Sequence, residues 1–489
     1  MPFVDIRSED DYASIYYITN SPFGNVMGFD PGKPTIIMLH PMYLDSTWLC
    51  NQFGDPRLHQ HYNLIAFDMR CCGSSTCRPS GKHDSWVEAA DLAFCHQALQ
   101  LPPSHILACE GISVNCALRF AILYACCLSC MESSELDAVL RRFRFPEMCL
   151  SLTLINVPAP TEMAWVFTAL DEATQACCYA EDLESFEHAA MEAVRFTVGP
   201  DCEADLQDEL IAYWEVHMPP SRRVRTVEQM NVLMNRVPLK SYMLKDIKKP
   251  VLIIHGERNE TCPVKYAERL VADLVNAKDG AILYLVKGGS GALNILPGTA
   301  SIANQVVAKF ISRFNYEEVD MKPSSTPIPE RMSAALLKLS EITGDSSIAS
   351  RNPVSSLSFS CLSPEAVKGQ TESIALYRKG QSTAFVPKGP DGGPIRKYSE
   401  RKKDHWFQGE KDGISYATSF LPTKQGKQDV EHEKAIPLPT SEPVPTEMQG
   451  RLRRPIVSPN SVDRHVIKGS MAKVVGSNST PVSLQRLLK

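Results

Sequence analysis

A serine hydroxyl becomes a nucleophile when a base takes its proton and an acid orients that base. Gly111-Ile112-Ser113-Val114-Asn115 has the G-x-S-x-G spacing for such a serine, with Asn115 in place of the second glycine. Histidine, the usual base, is missing from a long stretch of the chain: none occurs between His255 and His405. His40, His83 and His255 precede that gap. Cys127-x-x-Cys130 is a lone CxxC with no second pair, a poor zinc or redox motif. No cluster of His, Asp or Glu has metal-ligand spacing, so no metal site and no cofactor are expected.

These residues need elements to position them. Short apolar runs read as buried strands at residues 34–39, 62–67, 105–109, 150–155, 251–254 and 281–286. Trp86, Ala89, Ala90, Leu92, Ala93, Cys95, His96 and Leu99 mark one helical face, and Leu118 to Leu123 belongs to a second helix. Continuous apolar strands alternating with helices predict a mostly parallel, doubly wound α/β sheet covered on both faces. Residues 160–245 lack strand signals and predict a helical cap inserted into the sheet domain, with helical periodicity at 161–179 and 183–194.

Several motifs occur in an order that resembles the α/β-hydrolase superfamily, over about residues 25–316. Met38-Leu39-His40-Pro41 resembles the strand-end HG motif. Phe67-Asp68-Met69-Arg70-Cys71-Cys72-Gly73-Ser74-Ser75 resembles the D-x-R-G-x-G-x-S loop. Residues 251–257 resemble the strand leading to the triad acid, and 310–314 the closing helix.

The resemblance implies where a catalytic triad would stand. Two registers are open at the nucleophile: Ser113, or Gly111 through Cys109-Glu110-Gly111-Ile112-Ser113. The second fits the next helix better, because it sets Ser113, Ala117 and Ala121 at four-residue spacing for close packing on the sheet. Asn259 occupies the acid position, with Glu260 beside it but pointing elsewhere. Ser290 and Gly291 stand where the base histidine is expected, in the loop Lys287-Gly288-Gly289-Ser290-Gly291. The backbone at Pro41, Met42 and Ile112 is implied for oxyanion or ligand binding. His40 and His255 are expected as scaffold residues, and Arg70 as a brace for its own turn. An active serine hydrolase would need Ser113 and an unusual base such as His40 or His83.

Composition separates two regimes. Residues 321–489 carry 25 Lys+Arg against 16 Asp+Glu, a net +9, and the remainder 26 against 40, a net −14. The acidic part argues against nucleic acid as a partner. Sixteen of the 35 prolines lie beyond residue 320, and only Met332 to Thr343 looks helical there. The segment 320–489 therefore reads as a disordered basic tail. Residues 124–144, rich in Cys, Ser and Arg, read as an insertion foreign to the fold, interrupting a core assembled from 1–159 and 246–319. No apolar run can span a membrane and no leader is evident, so the 16 cysteines predict reduced thiols in a cytoplasmic protein. Three functions follow: a hydrolase-like pseudoenzyme that keeps a cleft for a small apolar ligand, an active esterase using Ser113, or an interaction protein whose tail engages an unknown partner.

Overall fold

A strand that is apolar on both faces must sit inside a sheet with helices on each side, and this dictates the core. The computed structural model describes residues 2–124, 148–199, 202–314, 327–389 and 391–400. Its strands are β1 (Phe3–Arg7), β2 (Tyr12–Thr19), β3 (Thr35–Leu39), β4 (Asn63–Phe67), β5 (Thr76–Cys77), β6 (Ser104–Cys109), β7 (Cys149–Ile155), β8 (Val251–Gly256) and β9 (Ile282–Val286). They form one sheet in the order β1-β2-β4-β3-β6-β7-β8-β9, with β5 paired to β2. The six strands from β4 to β9 along that path are parallel, and β1, β2 and β5 add an antiparallel margin. Every strand expected from the sequence is present within two residues.

Alternate residues of the central strands feed two cores. Ile37, Leu39, Ile106 and Ala108 face one layer, where helices α1 (Ser85–Ala98) and α2 (Ile112–Tyr124) pack. Ile36, Met38, Leu107 and Cys109 face the other. Asp84 starts α1 by accepting the Trp86 and Val87 amides at 3.0 Å, which satisfies two otherwise unpaired donors.

Between β7 and β8 lie four long helices, α3 (Ala164–Cys178), α4 (Leu183–Thr197), α5 (Ala204–His217) and α6 (Arg223–Met234). They form the helical cap. Phe186, Val194, Leu210, Ile211 and Trp214 bury their side chains together with Leu44, Ala292 and Ile295 of the sheet domain. The Trp214 indole N–H donates to the Tyr43 carbonyl at 3.0 Å and fixes the seating.

The boundary near residue 320 is a correction. Residues beyond it form α9 (Ile328–Thr343) and α10 (Pro364–Arg378), following α7 (Val264–Asp273) and α8 (Pro297–Ile311). Met332, Leu336 and Leu339 of α9 are wholly buried in the first core layer. Ile374 and Tyr377 of α10 pack on Tyr179, Val224 and Val227 of the cap. The Cys361 amide donates to Asp84 at 2.8 Å, and Arg396 pairs with Glu187 at 2.8 Å. The helix expected at Met332–Thr343 is α9, but averaging composition over a long polar stretch concealed α10 and the burial of both, since their apolar faces need only a few residues each. The expected insertion at 124–144 beyond Tyr124, the CxxC pair and residues 401–489 lie outside the described residues.

Candidate functional site

In a doubly wound sheet the ligand crevice opens beyond the carboxyl ends of the strands, where the strand order reverses. Here the chain runs from β3 outward to β4, then returns across to β6, so the reversal lies between β3 and β6. Their ends are level, with Leu39 opposite Ala108. Pro41 and Met42 follow β3, and Glu110 and Gly111 follow β6. All four line a cavity of about 100 Å³ under the cap. Its other walls are mainly apolar, among them Leu170, Phe196, Leu210, Trp214 and Leu233.

The sharp strand-to-helix turn belongs to Glu110. Its φ is +63°, which an L-residue with a long side chain adopts rarely, and Gly111 follows at +65°. The Glu110 amide still extends the sheet ladder by donating to Ile155 at 2.9 Å, and α2 starts two residues later. The elbow residue is therefore neither Ser113 nor Gly111, the two positions the sequence left open, but the one before both. The Glu110 carboxylate projects into the cavity. One oxygen accepts the Ala292 amide at 2.9 Å, and the other faces Asn259 Nδ2 at 3.4 Å. Burial pushes the carboxyl up to about 7, against the Ala292 amide and the Asn259 and Asn156 side chains, which stabilise its charged form.

Ser113 lies inside α2, fully buried, and its hydroxyl donates to the Glu110 carbonyl at 2.9 Å. That bond secures the elbow and occupies the proton a nucleophile would have to surrender. Ile112 is a buried helix residue away from the cavity lining, so with the elbow at Glu110 the adjacent backbone amide is that of Gly111. Pro41 has no N–H and cannot donate to an oxyanion. Met42 retains the β3-loop amide.

Asn259 is buried beside the elbow, accepting the Cys262 amide at 2.8 Å and the Thr261 hydroxyl at 2.9 Å, while Glu260 is exposed. Ser290 turns away from the site, and its hydroxyl donates to the Val198 carbonyl of the cap at 3.0 Å. Gly291 faces Glu110, but a Cβ there would lie 2.2 Å from the Thr197 carbonyl oxygen. The loop that would carry a base is thus closed against the end of α4.

The remaining histidines are engaged elsewhere. His40 Nε2 accepts the Met69 amide at 2.9 Å, so Nδ1 is the protonated nitrogen and donates to the Pro41 carbonyl at 2.8 Å. His255 is held in the same way, accepting from the Val157 amide at 3.2 Å and donating to the Cys262 carbonyl at 2.6 Å. Both are the scaffold residues the sequence suggested. His83 lies outside the cavity lining, buried 3.7 Å from Glu88, and burial holds its pKa well below the ordinary value. Arg70 does not brace its own turn: it forms two-pronged ion pairs with Asp11 and Asp91, with contacts of 2.8–3.0 Å.

In the sequence Glu110 is masked by the serine motif centred three residues downstream, at Ser113. The available signal was an acidic residue set between the apolar run Ile106-Leu107-Ala108-Cys109 and a glycine. Against the expectation of no metal-capable cluster, the fold also gathers Cys71, Cys77 and Glu228, with ligand atoms within 4.8 Å of one another. No helix among the described residues is long and apolar enough to cross a membrane.

The parallel sheet, its order, the elbow after β6 and the helical insertion after β7 together make this an α/β-hydrolase fold. Solved structures of that fold are similar to the chain. An esterase from Exiguobacterium antarcticum shares 17% identity at a TM-score of 0.46, over 63% of this chain and 99% of its own. MGS-M2, an alpha/beta hydrolase enzyme from a Medee basin deep-sea metagenome library, shares 15% at 0.47, over 64% and 99%. The enol-lactonase from Burkholderia xenovorans LB400 shares 15% at 0.44, over 61% and 97%. Similarity at this level concerns the fold and says nothing about chemistry. No family model and no curated protein matches the sequence.

Proposed function

We propose that this protein is a hydrolase-like pseudoenzyme that binds a small, mainly apolar ligand beneath its cap, with Glu110 as the polar anchor. The observation that carries this reading is the elbow: a carboxylate stands there, held by Ala292 and Asn259. The base loop beside it is sealed by Thr197 and Val198. Acyl transfer by a serine needs a hydroxyl and a histidine at these two places. A cavity of about 100 Å³ takes a ligand of a few heavy atoms, given that an engineered apolar cavity of about 150 Å³ takes benzene. A carboxyl that ionises near neutrality can donate one hydrogen bond to such a ligand or accept one from it. Thirteen free cysteines among the described residues support a reducing compartment, and with it the cytoplasmic placement.

The test pairs two measurements on the full chain. Fluorophosphonate labelling is expected to be absent. A small apolar alcohol such as tert-butanol is expected to bind in a saturable way, read by saturation-transfer NMR, and Leu170→Trp, which fills the cavity, should abolish its binding. Labelling of the wild type that disappears in Ser113→Ala would overturn the proposal in favour of an active esterase.

A further inference from the structure

Cys71, Cys77 and Glu228 lie apart from the cavity and take no part in it. Cys71 follows β4 in a left-handed conformation, φ +67°, and Cys77 ends β5 six residues later. Glu228 belongs to α6 of the cap. The two sulfurs are 3.2 Å apart, and Cys71 Sγ is 3.3 Å from Glu228 Oε2. The other carboxylate oxygen accepts the Ser80 amide at 2.9 Å, which aims Oε2 at the thiols. The Cys71 carbonyl is fixed by Gln229 Nε2 at 2.9 Å and Arg225 Nε at 3.3 Å, and Arg225 also holds the Gly73 and Ser75 carbonyls. Cys71 and Glu228 are buried, and half-buried Cys77 opens the cluster to solvent.

Two thiols and a carboxyl converging in a dry place repel one another's charged forms. Neighbouring Cys77 and burial push the Cys71 thiol up, and burial pushes Glu228 up. The Cys71 thiol and the Glu228 carboxyl therefore favour their protonated forms in the metal-free protein. The case for a metal rests on geometry: the three ligand atoms lie within 4.8 Å of one another, and two sulfurs with one oxygen are a donor set suited to zinc.

We propose that Cys71, Cys77 and Glu228 form a zinc(II) site that joins the loop after β4 to cap helix α6, with water in the fourth position. Tetrahedral zinc holds two thiolates about 3.8 Å apart, so the sulfurs would separate by roughly half an ångström on binding. Binding releases the two thiol protons, and the carboxyl proton where one is present. No oxidation is involved. The Ser80 amide and the Arg225–Gln229 clamp are the outer contacts that orient the ligands, as metal sites require.

The experiment uses full-length protein stripped with a chelator under a thiol reductant, then titrated with cobalt(II). A sulfur-to-cobalt absorption band in the near ultraviolet should saturate at one equivalent and vanish when zinc(II) is added. Zinc should also shield Cys71 and Cys77 from iodoacetamide, read by peptide mass spectrometry on the wild type. Glu228→Gln, which can still accept the Ser80 amide, should weaken cobalt binding by about 10–100-fold. Cys77→Ser should lose most of the band. The proposal is overturned if no band forms, if zinc shields neither thiol, or if both variants bind as the wild type does. A Cys71–Cys77 disulfide, formed with oxidised glutathione in protein that takes up no cobalt, overturns it in favour of a redox pair.

Discussion

Replacing Glu110 with glutamine should remove one component of the pH dependence of stability. Burial raises the Glu110 carboxyl from its ordinary 4.5 to about 7. The folded protein therefore holds this proton more tightly than the unfolded chain does. The penalty is absent below about pH 4.5, grows as the pH rises, and is complete above about pH 7. At about 1.4 kcal/mol per tenfold difference in proton affinity, the full penalty is about 3 kcal/mol, of which about 2.5 kcal/mol falls between pH 5 and 8. Glutamine mimics the protonated acid and can still accept the Ala292 amide. Urea unfolding of both proteins from pH 5 to 8 isolates the effect. Asp171, at about 6, and Glu215, at about 8, titrate alike in both and cancel in the difference. The variant should gain about 2.5 kcal/mol over the wild type across that range. A difference that stays constant within about 1 kcal/mol would refute the half-buried, cavity-facing carboxyl.

Other perturbations follow from particular contacts. Gly291→His should confer no p-nitrophenyl acetate hydrolysis and should lower the melting temperature, because its Cβ meets the Thr197 carbonyl. Leu339→Ala should cost about 2–5 kcal/mol in chemical denaturation, and a chain ending at residue 320 should lose cooperative unfolding, since α9 fills part of the core. Arg70→Ala should cost about 3–5 kcal/mol by stranding Asp11 and Asp91, and lysine should not restore the two-pronged pairs.

The sheet was readable because β3, β4 and β6 are buried on both faces, and no other arrangement hides such strands from water. The roles of His40 and His255 were readable because strand-end histidines of this kind have backbone partners close by in the chain or across one strand. The elbow was not, because φ at Glu110 is a property of the folded turn and its one local mark, the glycine after it, points equally to Gly111. The closing of the base loop depends on Thr197, about ninety residues away from Gly291, and the pairing of Arg70 on Asp11, 59 residues away. Alignment of α9 and α10 with their partners is likewise a long-range fact, outweighed in the sequence by the prolines around them.

The segment from α9 to Ser399 crosses from the sheet domain to the cap. It is fastened at Asp84 on one side and at Val224, Glu187 and Asp208 on the other. A strap tied at both ends restrains the cap against the sheet domain. For a ligand held there as proposed, exchange would be coupled to detachment of this strap, so that local unfolding of α10 and the stretch after it would contribute to its residence time. Weak equilibrium binding and slow release can coexist in such a design.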